Sequence, residues 1–430
     1  MDFLGMEGVS LPAPRQLQTE AEVGEEGELR LAEPLRQRWG LTPGARLLIQ
    51  ETAGGFLLRP RDPPLGRVYV EPTSACNLSC RTCVRNSWSE PTGSMEMDTY
   101  TSLVEGLREV SSVRVVSFWG IGEPLLHPRI LDMVAMASGL GARTELITNG
   151  LLLDEATARG LIEARLDTLV VSVDGTSSES YAEVRTGANL QQVIHNVTRL
   201  NELRATVPGH RPEVGIEFVA MRRNLHELPG LRRLARLIGA TFVVVTNVLP
   251  YTEELSDEIL YSLWGGSDYR VGRSKYAPSI VLPRMDARPE QIEALSGLLG
   301  GCAVGGPDLG APPSERSYCR FVHEGTVAVA WDGQVSPCVA LMHSYPCYIL
   351  HREKRIRRYT VGDVRKQPLA RIYDGEEFRR FRDRVLRFDF PPCTDCGACE
   401  MVESNEQDCF GNPFPVCGDC LWAKGVIQCP

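Results

Sequence analysis

The stretch VYVEPTSACNLSCRTC, residues 68–83, decides the fold and chemistry expected of this chain. It opens with alternating β-branched and aromatic residues, which predict a strand over 68–72. Cys76, Cys80 and Cys83 follow on the next loop with C-x3-C-x2-C spacing. Three thiolates spaced in this way can hold three irons of a 4Fe–4S cluster and leave the fourth iron open to another molecule. The alternative is a zinc site, which normally needs four ligands in paired C-x2-C hooks.

Five more short apolar runs follow, and helical patterns separate them. They lie at 113–118, 144–148, 168–173, 214–220 and 242–247. Strands that alternate with amphipathic helices predict an α/β fold with a parallel sheet, here a (β/α)6 partial barrel. Active sites of such folds lie at the carboxyl ends of the strands, and the cysteine loop follows one of these ends.

The composition is that of an ordinary globular protein except for its cysteines. The chain has 430 residues, 43% of them hydrophobic, and its 46 basic and 55 acidic side chains give a net charge of −9. This balance argues against a chain-wide surface for nucleic acid or anionic membranes. The sequence has no run of 18 apolar residues, so it predicts no membrane span. We expect a cytoplasmic protein, in which 14 cysteines indicate metal binding or catalysis rather than disulfides.

Motifs at the ends of the predicted strands resemble those of radical S-adenosylmethionine enzymes. WGIGEPLLHP is similar to the family's Gly-Gly-Glu-Pro segment, with Ile121 in place of a glycine, and the motifs TNG, SVDG and YAEVRTG follow in the family's order. Thr82 stands where the family usually has an aromatic residue that packs on adenine, so we expect an apolar wall on strand five instead. The resemblance implies these cofactor-binding residues: Gly120, Gly122, Glu123, Pro124, Asn149, Ser172, Asp174, Arg185 and Ile216.

The same resemblance implies a mechanism. Cys76, Cys80 and Cys83 would be the catalytic residues, as ligands of the 4Fe–4S cluster that reductively cleaves S-adenosylmethionine. The resulting 5′-deoxyadenosyl radical would abstract hydrogen from a substrate. Glu123 would receive the amino group of S-adenosylmethionine, and Arg185 would pair with its carboxylate. The protein's part is placement and a dry cavity. An electron donor such as ferredoxin or flavodoxin is also implied.

Eleven of the 14 cysteines lie after residue 300. Taken alone, their C-x2-C pairs are also typical of zinc ribbons. The run YCRFVHEGTVAVAWDGQVSPCVAL and the Arg-rich segment beyond it resemble the SPASM extension of radical enzymes, which implies one or two auxiliary 4Fe–4S clusters. The implied ligands are Cys319, Cys338, Cys393, Cys396, Cys399, Cys409, Cys417, Cys420 and Cys429, with Cys302 and Cys347 left over. The spacing does not divide the ligands between clusters.

The final stretch, residues 405–430, resembles the tail of maturases of tungsten-cofactor oxidoreductases. This implies that the substrate is a tungsten-containing aldehyde ferredoxin oxidoreductase or its pterin cofactor. A radical modifier of a ribosomally made peptide would use the same machinery. A non-catalytic zinc-binding regulator is the alternative from another class. Further polar candidates for a substrate pocket are Glu217, Asn247, Tyr251 and His323.

The sequence predicts five parts. They are a disordered acidic head (1–26), a hairpin module (27–62), the partial barrel (65–250), a bridging segment (251–318) and the auxiliary-cluster domain (319–430). The hairpin module resembles half of a swapped-hairpin AbrB- or MazE-like domain, which implies a homodimer. Five arginines against three glutamates in its residues 28–60 are too few for strong phosphate-backbone binding, so we do not expect DNA as a partner.

Overall fold

The fold is described by a computed structural model. It covers residues 21–38, 41, 47–52, 55–207, 212–261, 279–283, 285–286, 288–299, 319–393 and 399–428. Within these ranges, no helix is long and apolar enough to cross a membrane.

The N-terminal part consists of two hairpins joined by a short helix. β1 (Ala21–Val23) pairs antiparallel with β2 (Leu29–Leu31), and α1 (Glu33–Arg38) follows. β3 (Leu47–Thr52) then pairs antiparallel with β4 (Gly55–Pro60). The hairpin predicted around the Gly-Gly pair is therefore confirmed.

The prediction of a disordered head is wrong for residues 21–26. These residues form β1 and the turn that returns the chain to β2. Gly27 has a φ of +82°, a left-handed conformation that glycine adopts without steric cost. The glycine and glutamate content that suggested disorder therefore belongs to a turn.

Six parallel strands, neighbours in chain order, form the central sheet. They are β5 (Arg67–Val70), β6 (Val115–Phe118), β7 (Arg143–Thr148), β8 (Thr168–Ser172), β9 (Glu213–Ala220) and β10 (Phe242–Asn247). The helices between them are α2 (Met97–Arg108), α3 (Ile130–Ser138), α4 (Glu155–Glu163), α5 (Ser178–Val184), α6 (Leu190–Ala205) and α7 (Leu231–Leu237). The predicted parallel β/α array is confirmed.

Local sequence explains these elements. β8 and β10 are buried along their entire length, as expected for parallel strands covered by helices. Asp154 begins α4 as its N-cap, because its carboxylate accepts a hydrogen bond from the backbone N–H of Thr157 at 2.8 Å. Asn189 caps α6 in the same way.

The segment predicted as an irregular bridge over 251–318 contributes regular structure. β11 (Ser279–Val281) pairs parallel with β10 and extends the sheet, and α8 (Pro289–Leu299) follows. A three-residue strand is too short to give a periodic signal, which is why the sequence pattern missed it.

The C-terminal domain extends the same sheet beyond β5, at the edge opposite β11. β12 (Thr326–Val329) pairs parallel with β5. β13 (Gln334–Ser336) and β16 (Gly362–Asp363) then add antiparallel strands. The remaining elements are α9 (Arg320–His323), a hairpin of β14 (Tyr345–Ile349) and β15 (Arg352–Ile356), α10 (Leu369–Tyr373) and α11 (Glu376–Arg387).

The C-terminal tail packs against the barrel. Asn247, at the end of β10, donates its side-chain amide to the carbonyl of Val426 at 2.9 Å. The backbone N–H of Gln428 donates to the hydroxyl of Thr246 at 2.9 Å. The tail therefore lies at the carboxyl end of the barrel strands.

A buried layer of charges lies at the opposite, amino end of these strands. Arg67 Nη1 is 2.6 Å from Glu145 Oε2, and Arg143 Nη2 is 3.2 Å from Glu213 Oε2. The side chains of the first pair are 14% and 12% exposed. Removing one partner of a buried pair leaves the other charge uncompensated.

We predict that Arg67→Met lowers the free energy of unfolding by about 3 kcal/mol, because the carboxylate of Glu145 loses its closest partner. The double variant Arg67→Met/Glu145→Leu should recover most of this loss. Urea denaturation of the wild type and these variants measures the effect. A double variant no more stable than the single one would contradict the explanation.

Candidate functional site

The loop with three cysteines leaves the carboxyl end of β5 and is held by a backbone hydrogen bond to the last residue of α5. The N–H of Arg81 donates to the carbonyl of Val184 at 2.8 Å. Burial raises the pKa of Cys80 to about 11, and the nearby thiols of Cys83 and Cys76 act in the same direction. Burial also raises the pKa of Cys83. The raised pKa values of Cys80 and Cys83 favour their neutral thiols until a positive group such as iron joins them.

The Gly-Glu-Pro loop packs directly on the backbone that precedes the cysteines. A Cβ on Gly122 would lie 2.3 Å from the carbonyl oxygen of Thr73 and 2.4 Å from that of Ala75. The N–H of Glu123 donates to the same Ala75 carbonyl at 2.8 Å. A Cβ on Gly120 would lie 2.5 Å from Glu71 Cγ. Glycine is needed at Gly122 because no side chain fits between these peptide groups.

Glu123 connects this loop to the end of β7. Its buried carboxylate accepts hydrogen bonds from the hydroxyl of Thr148 at 2.6 Å and from the N–H of Asn149 at 2.7 Å. Burial raises the pKa of Glu123. The side-chain amide of Asn149 donates to Asn77 Oδ1 at 2.8 Å, inside the cysteine loop. Pro124 starts a 3₁₀ turn over 124–126. Three motifs that are far apart in sequence thus meet at one place.

A second polar group lies beside the cysteines. Arg185 Nε is 2.9 Å from Asp174 Oδ2. The N–H does not point at that oxygen, because neither atom makes a hydrogen bond among the described residues, and the buried hydroxyl of Tyr181 also makes none there. The charge of Asp174 raises the pKa of Arg185 although burial opposes it. Buried polar atoms normally have partners, so these three indicate a place for a polar ligand.

Glu217 and Ser172 extend this polar group along β9 and β8. The hydroxyl of Ser172 donates to Glu217 Oε2 at 3.3 Å. Burial raises the pKa of Glu217 to about 7, and the charge of Asp174 raises it further. The charge of Arg185 acts in the opposite direction.

Ile216 is not at the site, which corrects the prediction of an adenine wall there. It precedes Glu217 on the same strand, and successive side chains of a strand point to opposite faces. Its register partners are Val171 and Val243, and all three are fully buried in the main core. Val219 is the next residue on the face of Glu217, and it is only partly buried.

The C-terminal cysteines fall into two groups. Three separate segments supply Cys319, Cys338, Cys417 and Cys420, and all four residues lie in or against the main core. Burial raises the pKa of Cys319 to about 12, with Cys420 acting in the same direction. The pKa of Cys417 is raised well above its usual value, first by burial and then by the other three thiols. These four thiols form one donor set, in which Cys319 and Cys338 are buried and Cys417 and Cys420 are partly buried.

Cys393 and Cys409 mark the second group. Burial raises the pKa of Cys393 to about 11, and Cys409 contributes to the rise. Cys399 is held through its carbonyl, which accepts a hydrogen bond from Arg352 Nη2 at 3.0 Å. Cys302, Cys396 and Cys429 lie outside the described residues.

No three Cys, His, Asp or Glu side chains in the described ranges converge closely enough to hold a single metal ion. In a 4Fe–4S cluster the thiolates bind different irons, so a cluster needs a wider spacing of its ligands. The first set of thiols fits a cluster, because thiols whose pKa is raised by burial become good ligands when iron compensates the charge of the thiolate, and Cys393 of the second group shares this property.

Two features beside the second group had little signal in the sequence. Cys347, predicted as left over, is buried, and burial raises its pKa to about 12. Lys354 Nζ lies 2.5 Å from Asp419 Oδ2, and both side chains are buried. Asp419 lies between two cysteines in Cys-Gly-Asp-Cys, which was the one available signal.

We predict that Gly122→Ala weakens S-adenosylmethionine binding at least about tenfold, or ~1.4 kcal/mol, because the added Cβ separates the Gly-Glu-Pro loop from the cysteine loop. Equilibrium dialysis of reconstituted protein measures this affinity. Gly139→Ala is the matched control, since its Cβ would meet the nearest atoms at 3.3 and 3.5 Å. Equal affinities for the two variants would contradict the prediction.

Comparisons with known proteins agree with this geometry. Residues 70–253 match the radical SAM superfamily, and residues 319–400 match SPASM, an iron–sulfur cluster-binding domain. The chain is 30% identical over 375 residues to the tungsten-containing aldehyde ferredoxin oxidoreductase cofactor-modifying protein of Pyrococcus furiosus, covering 84% of this chain and 96% of that protein.

Two further comparisons are informative, one of sequence and one of fold. The PqqA peptide cyclase of Granulibacter bethesdensis is 27% identical over 363 residues, which cover 83% of this chain and 85% of the cyclase. The crystal structure of Streptococcus suis SuiB bound to S-adenosylmethionine shares the fold, with a TM-score of 0.55 and 16% identity over 80% of this chain and 72% of SuiB. The chain therefore belongs to the radical SAM superfamily, whose enzymes use a 4Fe–4S cluster and S-adenosylmethionine, and it carries a SPASM iron–sulfur domain.

Proposed function

We propose that this enzyme is a maturase that modifies a tungsten-containing aldehyde ferredoxin oxidoreductase or its pterin cofactor. The observation that carries the proposal is the likeness to the cofactor-modifying protein of Pyrococcus furiosus, which extends over 96% of that protein. A match of this extent includes more than the cleavage machinery that all radical SAM enzymes share.

The residues of the barrel have separate tasks in this proposal. Cys76, Cys80 and Cys83 would hold the cleaving cluster, which together with S-adenosylmethionine supplies hydrogen abstraction when bound. Glu123 and the adjoining peptide groups would receive the ligand's amino group, because that carboxylate is buried at the cysteine loop. Arg185 would pair with the ligand's carboxylate, because its Nε has no hydrogen-bond partner in the described part of the chain.

Further residues would bind the nucleoside part. Asp174, Tyr181, Ser172 and Glu217 offer the polar atoms that ribose hydroxyls need. Val219 would replace Ile216 as the apolar wall, since it lies on the interior face of β9.

We further propose how the auxiliary ligands divide. Cys319, Cys338, Cys417 and Cys420 would hold one cluster, because their thiols lie near enough to raise one another's pKa values. The second would be held by ligands from Cys393, Cys396, Cys399, Cys409 and Cys429. Cys347 lies near Cys420 and is assigned no cluster.

Cysteine variants test this assignment through iron content. We predict that Cys80→Ala forms no 5′-deoxyadenosine yet keeps the auxiliary irons, because that residue belongs to the cleaving loop alone. Cys338→Ala should lose about four irons per chain and retain uncoupled cleavage. Cys347→Ala is the control and should keep all its iron. Loss of iron from Cys347→Ala, or cleavage by Cys80→Ala, would contradict the assignment.

The substrate needs a test of its own. A tungstopterin aldehyde oxidoreductase is produced anaerobically with and without this enzyme, and the masses of its released cofactor and of its polypeptide are measured by mass spectrometry. We predict a mass difference that Cys80→Ala fails to produce, because that variant cannot start the radical reaction. Identical masses of both cofactor and polypeptide in all three preparations would refute the tungsten-enzyme proposal.

A peptide modifier is the second candidate. The likeness to PqqA peptide cyclase over 83% of this chain favours it. It differs from the main proposal in its substrate and not in its machinery. The third reading, a non-catalytic zinc regulator, does not agree with membership of the radical SAM superfamily.

The proposal also includes the location of the enzyme, its electron donor and its oligomeric state. We propose a cytoplasmic enzyme that receives electrons from a ferredoxin or flavodoxin. The AbrB-like hairpin module would form a homodimer, which the high exposure of Val23 (73%) and Ile49 (69%) on its strands supports. Size-exclusion chromatography with light scattering would test that oligomeric state.

A further inference from the structure

A buried histidine connects the auxiliary domain to both sides of the cysteine loop. His343 precedes β14, and its side chain is 2% exposed. Its Nε2 lies 2.8 Å from Glu71 Oε2, at the end of β5 before the cysteines. Its Nδ1 lies 2.8 Å from Glu90 Oε2, after the cysteines. The ring stacks on Trp88 at 4.5 Å between centroids.

The two carboxylates determine the charge of this ring. A neutral imidazole has one N–H and one lone pair, so one of its nitrogens would face a carboxylate with a lone pair. The imidazolium donates to both instead. Burial alone would lower the pKa of His343, but the hydrogen bonds to Glu71 and Glu90 raise it to about 9. His343 is therefore positively charged at neutral pH.

Glu71 transmits this contact to the S-adenosylmethionine site. Its carboxylate accepts a hydrogen bond from the N–H of Ile121 at 3.1 Å, within the Gly-Glu-Pro loop. It also accepts one from the N–H of Trp331 at 3.3 Å, in the auxiliary domain. Its side chain is fully buried and packs against Gly120. Glu71 thus holds the loop that would receive the amino group of the ligand.

Glu90 holds the other end of the cysteine segment. Its second oxygen accepts a hydrogen bond from the N–H of Ser344 at 2.7 Å, and its carbonyl accepts one from Trp88 Nε1 at 2.6 Å. The chain from Glu71 to Glu90, which contains all three cysteines, is therefore fastened at both ends to one residue of the auxiliary domain.

We propose that His343 is a positioning residue for S-adenosylmethionine binding. As an imidazolium between Glu71 and Glu90 it holds the cysteine loop and the Gly-Glu-Pro loop in the arrangement that binds the ligand. Through it, the auxiliary domain controls the affinity of the barrel. The proposal depends on the S-adenosylmethionine site and not on the identity of the substrate.

The charged surroundings give the proposal a pH dependence. The groups that face His343 are Glu71, Glu90 and Asp332, and Asp332 is bonded by Arg358 at 2.8 Å. Because the pKa of His343 is higher in the folded chain than in the unfolded one, its contribution to stability is complete below about pH 6.5 and is lost as the pH rises through about 9. The contact that positions the two loops is lost over the same upper range.

The test is the dissociation constant for S-adenosylmethionine, measured by equilibrium dialysis on reconstituted protein between pH 7 and pH 10. We expect the affinity of the wild type to fall above about pH 9. His343→Gln should bind about tenfold more weakly at pH 7.5 and lack that fall, because glutamine keeps a hydrogen bond but cannot carry the charge. Its iron content should equal that of the wild type.

Two further variants make the result specific. Glu90→Gln should shift the fall in affinity toward lower pH, because it removes one of the carboxylates that raise the pKa of His343. Tyr359→Phe removes another buried hydrogen bond of the auxiliary domain, to Glu377 at 3.0 Å, and should leave the affinity unchanged. The Glu90 variant decides the question if His343→Gln does not fold, since the side chain of Glu90 is 22% exposed and easier to replace.

Wild-type affinity and pH profile in His343→Gln would overturn the proposal. An unshifted profile in Glu90→Gln would do the same. A wild-type protein that binds no S-adenosylmethionine at any pH would instead refute the site assignment itself.

Discussion

The contact on which the site depends is the direct packing of Gly122 on the peptide groups of Thr73 and Ala75. It brings two loops from neighbouring strands close enough for one small ligand to touch both. A hydrogen bond from Glu123 to Ala75 then fixes their register, and Asn149 adds a third loop through Asn77. Each of these residues lies at the carboxyl end of a strand, so the parallel sheet supplies the coarse alignment and glycine the final approach.

Burial of charge is the second constraint, and the chain meets it differently at the two ends of the barrel. At the amino end, Arg67 and Glu145 form an ion pair in which the two charges compensate each other. At the carboxyl end, Arg185 Nε and Asp174 Oδ2 lie 2.9 Å apart, yet neither atom makes a hydrogen bond among the described residues. Unsatisfied buried groups reduce stability. These buried groups therefore lower the stability of the barrel at its carboxyl end, whereas the ion pair at the amino end does not. Such a loss of stability is common at functional sites.

Short-range sequence patterns predicted the features that depend on residues close together in the chain. Runs of β-branched residues located all six barrel strands, and parallel topology brought the polar motifs to one edge. The sequence prediction placed Ile216 on the wrong face of β9. Glu217, an acidic residue within an apolar strand, was a usable signal of the strand's orientation. The contact between His343 and Glu71 spans 272 residues and has no local signature, so only the folded chain reveals it. The same holds for β11, which is ordered by its neighbour β10.

The pairing of β12 with β5 has a consequence for how the protein is made. β5 is the first barrel strand to leave the ribosome, yet its outer partner at 326–329 follows more than 250 residues later. At about 5–20 residues per second, that edge stays unpaired for roughly 10 to 50 seconds of synthesis. An unpaired edge strand is a template for aggregation. Expression conditions that slow translation therefore lengthen the exposure of the strand that leads into the cysteine loop.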